Sequence, residues 1–292
     1  MNLLRLSLDF TRNTIARAEF RHQRYVIKTS RSGTLWIVLA VVMLFPGLLM
    51  ALVLFASALV DRPPYFTQEP VRLFLGHTET SGDYVAMIGV VAMVTMNVAL
   101  YLVVILITLA LSAHSIAREK LNRTWDVLLL TNVDAREMVR GKWWASVKGL
   151  NGDHAMVGLL RLGLVGFLIG VSASKLPPAP LGLPTGIAYV LPLGLVVVAF
   201  TTIDAAFTAA LGIAGALSNF PGAVTTALIF TVRLFGIALA IVFFWVLVEM
   251  MFDGGPYLLV ALGGLGGFMA MTWLTLVMAQ KIAVWGQVSP SA

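Results

Sequence analysis

The feature that most restricts this chain is a series of apolar stretches, each about as long as a bilayer is thick. A helix needs about 20 apolar residues to cross the hydrocarbon core. Six stretches reach or approach that length: 34–60, 85–114, 155–173, 187–217, 223–248 and 258–279. In lipid the backbone finds no water to bond, so only helices and closed barrels are stable there, and apolar runs this long are helices. The sequence therefore predicts an all-α fold: a polytopic membrane protein with about six transmembrane helices in a single domain spanning 1–292. Composition fits. Only 12% of the residues are charged and 59% are hydrophobic, against roughly 25% charged in soluble globular domains. Most of this surface must meet something other than water.

The net charge of +6 could suggest nucleic acid, but its placement argues otherwise. It lies in two blocks. Arg5, Arg12, Arg17, Arg21, Arg24, Lys28 and Arg31 precede the first stretch; Arg118, Lys120, Arg123, Arg136, Arg140, Lys142 and Lys148 separate the second from the third. The 61–84 loop has only Arg62 and Arg72, offset by Asp61, Glu69, Glu79 and Asp83, and the 174–186 loop has only Lys175. An excess of Lys and Arg marks the cytoplasmic side, so both termini and the 115–154 loop are expected inside, and no nucleic-acid partner is expected. Residues 1–33 are too long and too basic for a cleavable signal peptide. Arg17, Arg21, Arg24, Lys28 and Arg31 recur at helical spacing as a basic stripe, with Ile15, Ala18, Tyr25 and Val26 on another face. This predicts an amphipathic helix in the cytoplasmic interface, its cations toward anionic membrane lipids.

Catalytic patterns are missing. Without cysteine there is no thiolate nucleophile or Cys-based metal site. His22, His77, His114 and His154 are scattered, with no HExxH. Gly170-Val171-Ser172-Ala173-Ser174 lacks the second glycine of a nucleophile elbow, and Gly149–Asp153 does not fit an intramembrane aspartyl-protease GxGD. Gly141-Lys142 lacks the glycine-rich run of an ATP-binding loop. No enzyme activity, metal or bound cofactor is expected of this chain itself. Gly166/Gly170 and Gly263/Gly267 form GxxxG pairs that permit close helix contact within the chain or between subunits.

The 115–154 segment is more specific. Leu121, Trp125, Leu128 and Leu129 fall at i, i+4, i+7 and i+8, one apolar face of a short helix, while Lys120, Asn122, Arg123 and Asp126 lie off it. Thr131-Asn132-Val133-Asp134 then fits a capping box opening a second helix. An amphipathic hairpin resting on the membrane would satisfy this pattern. The run SIAREKLNRTWDVLLLTNVDAREMVRGKW, about a tenth of the chain, also closely resembles the cytoplasmic loop of ATP-binding-cassette exporter permeases of the type-2 class. Glu119 stands for that family's acid after the second span, Thr124-Trp125-Asp126 for its Thr–apolar–acid, and Leu128-Leu129 for its Leu pair. Thr131, Glu137 and Gly141-Lys142 stand for its later Thr, acid and Gly-Lys. Two positions depart: Arg123 where the family often has Gly, and Asn132 where it usually has Pro.

The resemblance implies a transmembrane permease subunit with a cytoplasmic coupling helix between spans two and three. Its partners would be separate cytoplasmic ATPase subunits, which hold ATP and Mg, and a second permease subunit, identical or related. The implied location is a prokaryotic cytoplasmic (inner) membrane. The alternatives are a non-transporting assembly or anchoring subunit, and an intramembrane enzyme. Three charges interrupt the apolar stretches: Arg161, Asp204 and Arg233. Asp204 and Arg233 lie at similar distances from the turn at Pro221, on consecutive antiparallel helices, and are expected to pair. Arg161 could share Asp204 or reach toward the interface.

Overall fold

A computed structural model describes residues 13–30, 34–60, 81–130, 134–172, 176–177, 183–184, 186–218 and 222–288. These residues are helical almost throughout, and no strand occurs among them. In chain order the helices are α1 (Thr14–Ser30), α2 (Thr34–Leu59), α3 (Ser81–Leu121), α4 (Thr124–Leu130), α5 (Ala135–Gly149) and α6 (Asn151–Ser172). A π-helical turn (Gly186–Val190) then runs into α7 (Leu191–Leu217), followed by α8 (Gly222–Phe252) and α9 (Tyr257–Val288). Among the described residues, five segments are long and apolar enough to cross a membrane: Ile88–Leu121, Asn151–Gly170, Gly186–Leu217, Ala223–Phe252 and Tyr257–Trp285. The first expected span, α2, is a continuous helix of 26 residues.

The helix α7 sits at the centre, packed against α3, α6 and α9. Its small residues allow this: a Cβ at Gly212 would meet Leu109 O of α3 at 3.0 Å. By contrast, α8 leaves Leu234, Phe235, Ile241, Val242 and Trp245 exposed, as α9 leaves Leu259, Leu262 and Leu274. Such a large apolar surface is not stable in water and suits lipid. The two glycine pairs differ among the described residues. Gly166 packs on α2, where a Cβ would lie 2.6 Å from Leu54 O, and Gly163 meets the backbone of Ala51. Gly263 and Gly267 have nothing within 4 Å of their Cβ positions.

Several expected boundaries move. The helix that carries the second expected span does not end at His114: α3 continues without a break to Leu121, so the front of the 115–154 loop is a helical extension of α3. The last helix likewise runs beyond the expected end at Ala279, to Val288. Gln280 and Ala283 are buried, because α9 continues along α5 and adds Ala283 to the cluster around Met138 and Val139. The second helix of the loop opens three residues later than the capping box suggests. Its cap is Asp134, in extended conformation, whose Oδ1 accepts from Arg136 N at 2.9 Å; Thr131 lies outside the described residues.

Candidate functional site

The break between α3 and α4 falls at Asn122-Arg123, where Arg123 has φ of +56°. That left-handed conformation suits glycine, which lacks the Cβ that clashes there. It turns the chain sharply after the last α3 bonds, Asn122 N to Arg118 O and Arg123 N to Lys120 O. The turn also resets the helical phase, so the apolar face expected across Leu121, Trp125, Leu128 and Leu129 does not form as one surface. Leu121 is 80% exposed, whereas Trp125 is 7% exposed and packs with Ile116, Met138, Ile213 and Leu217, with Leu128 at the margin. The exposed apolar residues here are Leu121 and Val127. The side chains of Asp126 and Leu129 lie outside the described residues.

Behind this turn is a buried ionic junction joining α1, α3 and α5. Lys142, 1% exposed, donates to Glu19 Oε2 at 3.2 Å, Ser115 O at 3.0 Å, Ser115 Oγ at 3.3 Å and Glu119 Oε1 at 3.3 Å. Arg118 Nη2 reaches Glu19 Oε2 at 2.9 Å and Glu119 Oε1 at 3.3 Å. The hydroxyl of Thr124 donates to the other oxygen of Glu119. Two carboxylates thus face two cations, so the cluster is neutral, as burial requires. Burial alone would disfavour the charge on Glu19. Lys142 and Arg118, with hydrogen bonds from Lys142 and Gln23, outweigh it and hold the carboxyl below its ordinary value of 4.5. Gly141 has a role beside it: a Cβ there would lie 3.2 Å from Ala16 N and from the Asn13 side chain, so glycine lets α1 lie close on α5.

The N-terminal helix is thus docked on protein by a face that the amphipathic pattern does not reveal. Asn13, Ala16, Glu19 and Gln23 are buried. Asn13 Oδ1 caps the helix, accepting from Ile15 N at 2.9 Å and Ala16 N at 3.1 Å, while its amide donates to Glu137 O at 3.3 Å. Gln23 donates to Ser146 Oγ at 3.1 Å. Of the expected apolar residues, Ala18, Tyr25 and Val26 are exposed and Ile15 is half-buried. Arg17, Arg21 and Arg24 are exposed as expected; the side chain of Lys28, and Arg31 altogether, lie outside the described residues. The side chain of Glu137 is also exposed. Glu19 and Gln23 escaped notice because polar residues on a short basic helix read as solvated. Their i, i+4 spacing and the excess of cations around them were the available signal.

The intramembrane charges form a second network. Arg233 Nη2 pairs with Asp204 Oδ1 at 2.7 Å, as expected, and both are buried. Arg233 also donates to Tyr101 OH at 2.7 Å, a partner the charge pattern could not name. Arg161 does not share Asp204. Its Nη1 donates to Thr201 Oγ1 at 3.0 Å, and its guanidinium lies over the Tyr101 ring at 4.5 Å and the Phe200 ring at 5.5 Å. One helical face away, His154 meets Thr108 Oγ1 at 3.1 Å. Because Thr108 donates its own proton to Val104 O, its oxygen must accept, which puts the imidazole proton on Nε2. A cavity of about 260 Å³ opens between α6 and α7, bounded by His154, Gly158, Leu162 and Thr201 among others. No group of metal-ligating side chains occurs among the described residues. No family model, curated protein or solved structure matches this chain.

Proposed function

We propose that this chain is the transmembrane permease subunit of an ATP-driven exporter, resembling the type-2 class of ATP-binding-cassette permeases. Two copies or related subunits would enclose the pathway, and separate cytoplasmic ATPases would drive it. In this reading α2 also crosses the membrane and brings the spans to six, both termini are cytoplasmic, and α4 with the turn before it is the docking element. One observation carries the proposal. Thr124 and Lys142 converge on the carboxylate of Glu119, three residues that the family resemblance singles out at separate places in the sequence. Arg123, standing where the family often has glycine, takes the conformation glycine favours, which supports the reading independently.

The junction also supplies what coupling requires, a stiff connection between partner and membrane. A push on the α3–α4 turn reaches α3 directly and α5 through Lys142. It reaches α7 through Lys120 Nζ, bonded to Ala216 O at 3.0 Å, and through Trp143 Nε1, bonded to Ala206 O at 2.9 Å. The burial of Trp125 shifts the docking role to Leu121 and Val127. The test is a Leu121→Glu/Val127→Glu variant purified with its ATPase. Both positions are exposed, so the melting temperature of the isolated subunit should stay within about 2 °C of wild type, a surface change being worth about 0.5 kcal/mol or less. ATPase association and coupled transport should be lost. A variant that retains its ATPase and transports normally would overturn the docking assignment.

A further inference from the structure

The cavity between α6 and α7 is lined by Thr201, which holds the guanidinium of Arg161, a cation with no acid paired to it among the described residues. Among the described residues, the charged side chains midway along the membrane helices are Arg161, Asp204 and Arg233. The single carboxylate is engaged by Arg233. Arg161 makes no ion pair among the described residues; its one hydrogen bond goes to the neutral hydroxyl of Thr201. A guanidinium does not lose its proton in a protein, and the two aromatic faces it rests on attract the charge without cancelling it. A lone cation at this depth calls for an anion.

The space for that anion is adjacent. Thr201 accepts from Arg161 and lines the cavity, and Gly158 and Leu162, three residues before and one after Arg161, line it too. On α6 the lining positions run from Asn151 to Leu162, about 16 Å along the helix at 1.5 Å per residue. Most of the wall is apolar. Its polar side chains are largely committed: Thr201 donates to Val197 O, Thr202 to Val198 O, and His154 through Nε2 to Thr108. A sugar or polyol would find few partners here and would leave its own hydroxyls unsatisfied. Charge is what this site can select.

We infer that the cavity beside Arg161 binds an organic anion, a carboxylate or phosphate group carried on an apolar body, with the anionic group at the Arg161 end. That the bound anion is cargo rests on the transport reading; that it binds does not. Ligand-induced melting shifts of the isolated subunit in dodecyl maltoside, titrated to an apparent Kd, test it without any ATPase, so failure here and failure of ATPase docking are separate results. The probes are octanoate, its neutral analogue octanol, phosphatidylglycerol and inorganic phosphate. Octanoate or phosphatidylglycerol should raise the wild-type melting temperature and octanol should not. Stabilisation by octanoate marks a free organic anion, and by phosphatidylglycerol alone a lipid head group.

Arg161→Gln should weaken the anionic probe by about tenfold or more, the usual scale for losing a charge-assisted hydrogen bond. Gly158→Leu should weaken it comparably by filling the cavity with Arg161 intact. A Cβ at Gly158 meets Thr201 at ordinary contact distance, 3.7 Å, so this variant keeps the test valid if Arg161→Gln does not fold. Equal shifts with octanoate and octanol, inorganic phosphate acting as strongly as octanoate, or undiminished binding in Gly158→Leu would each overturn the assignment.

Discussion

Replacing Lys142 with methionine should loosen the N-terminal helix from the rest of the protein. The side chain keeps its length and burial but loses the charge and the four contacts that Nζ makes to Glu19, Ser115 and Glu119. Glu19, 5% exposed, is then left with Arg118 and Gln23. Removing one member of a buried ion pair costs about 3–5 kcal/mol, because the other is stranded in a poor solvent for charge. The lower end applies, since Arg118 still reaches Glu19 at 2.9 Å. Glu19→Gln should cost about 2–3 kcal/mol by the same reasoning, as Lys142 retains Glu119 and Ser115.

Were the two residues independent, the double variant would lose the sum. Because they share one contact, it should recover about 1.5–2 kcal/mol of that sum, within the range found for directly paired side chains. Thermal melts of the detergent-solubilised subunit measure the three losses. Trypsin cleavage after Arg21 and Arg24 reports whether α1 has detached, and should quicken in both single variants. The pH dependence has a definite sign. The carboxyl of Glu19 titrates below 4.5 in the folded protein, so its stabilisation is complete above that pH. It drains away as pH falls through the lowered value. The gap between wild type and Glu19→Gln should therefore be constant from pH 8 to 5 and narrow only below pH 4.5. A double variant that loses the full sum of the singles would refute the pairing.

Asp204→Asn should destabilise the subunit more than Asp204→Asn combined with Arg233→Gln, because the single change leaves a buried guanidinium with only Tyr101 OH; melts that are additive would contradict this. Arg123→Gly should raise stability by about 0.5–1 kcal/mol by relieving the left-handed backbone at φ +56°, and an unchanged or lower melting temperature would count against the turn. Gly163→Leu should prevent stable assembly of α2 on α6, since a Cβ there already meets the Ala51 backbone, whereas Gly267→Leu enters open space and should leave the melt unchanged; equal yields of the two proteins would contradict the packing.

The apolar helices were legible in the sequence because their cause is local. A run of about 20 residues without charge has one stable structure in lipid, whatever lies beside it. The pairing of Asp204 with Arg233 was nearly as legible, since two opposite charges at matching depth on adjacent helices have few other partners. The two helices of the loop followed from capping and spacing, but their register did not. Helical periodicity carries across Leu121 and Trp125 only if the helix does, and one left-handed residue at Arg123 sends Leu121 outward and Trp125 into the core.

The junction belonged to the tertiary structure. Glu19, Arg118, Glu119 and Lys142 come from three helices, and 123 positions separate Glu19 from Lys142. Each alone reads as a solvated charge, and only packing α1 onto α5 across Gly141 removes the water that would otherwise answer them. Likewise Tyr101 became the neighbour of both Arg161 and Arg233 through the crossing of α3 with α6, α7 and α8. The sequence by itself determined which segments leave water, because that depends on each segment's own transfer free energy. The tertiary structure decided which charges meet and which cation is left over, because that depends on where helices distant in the chain touch.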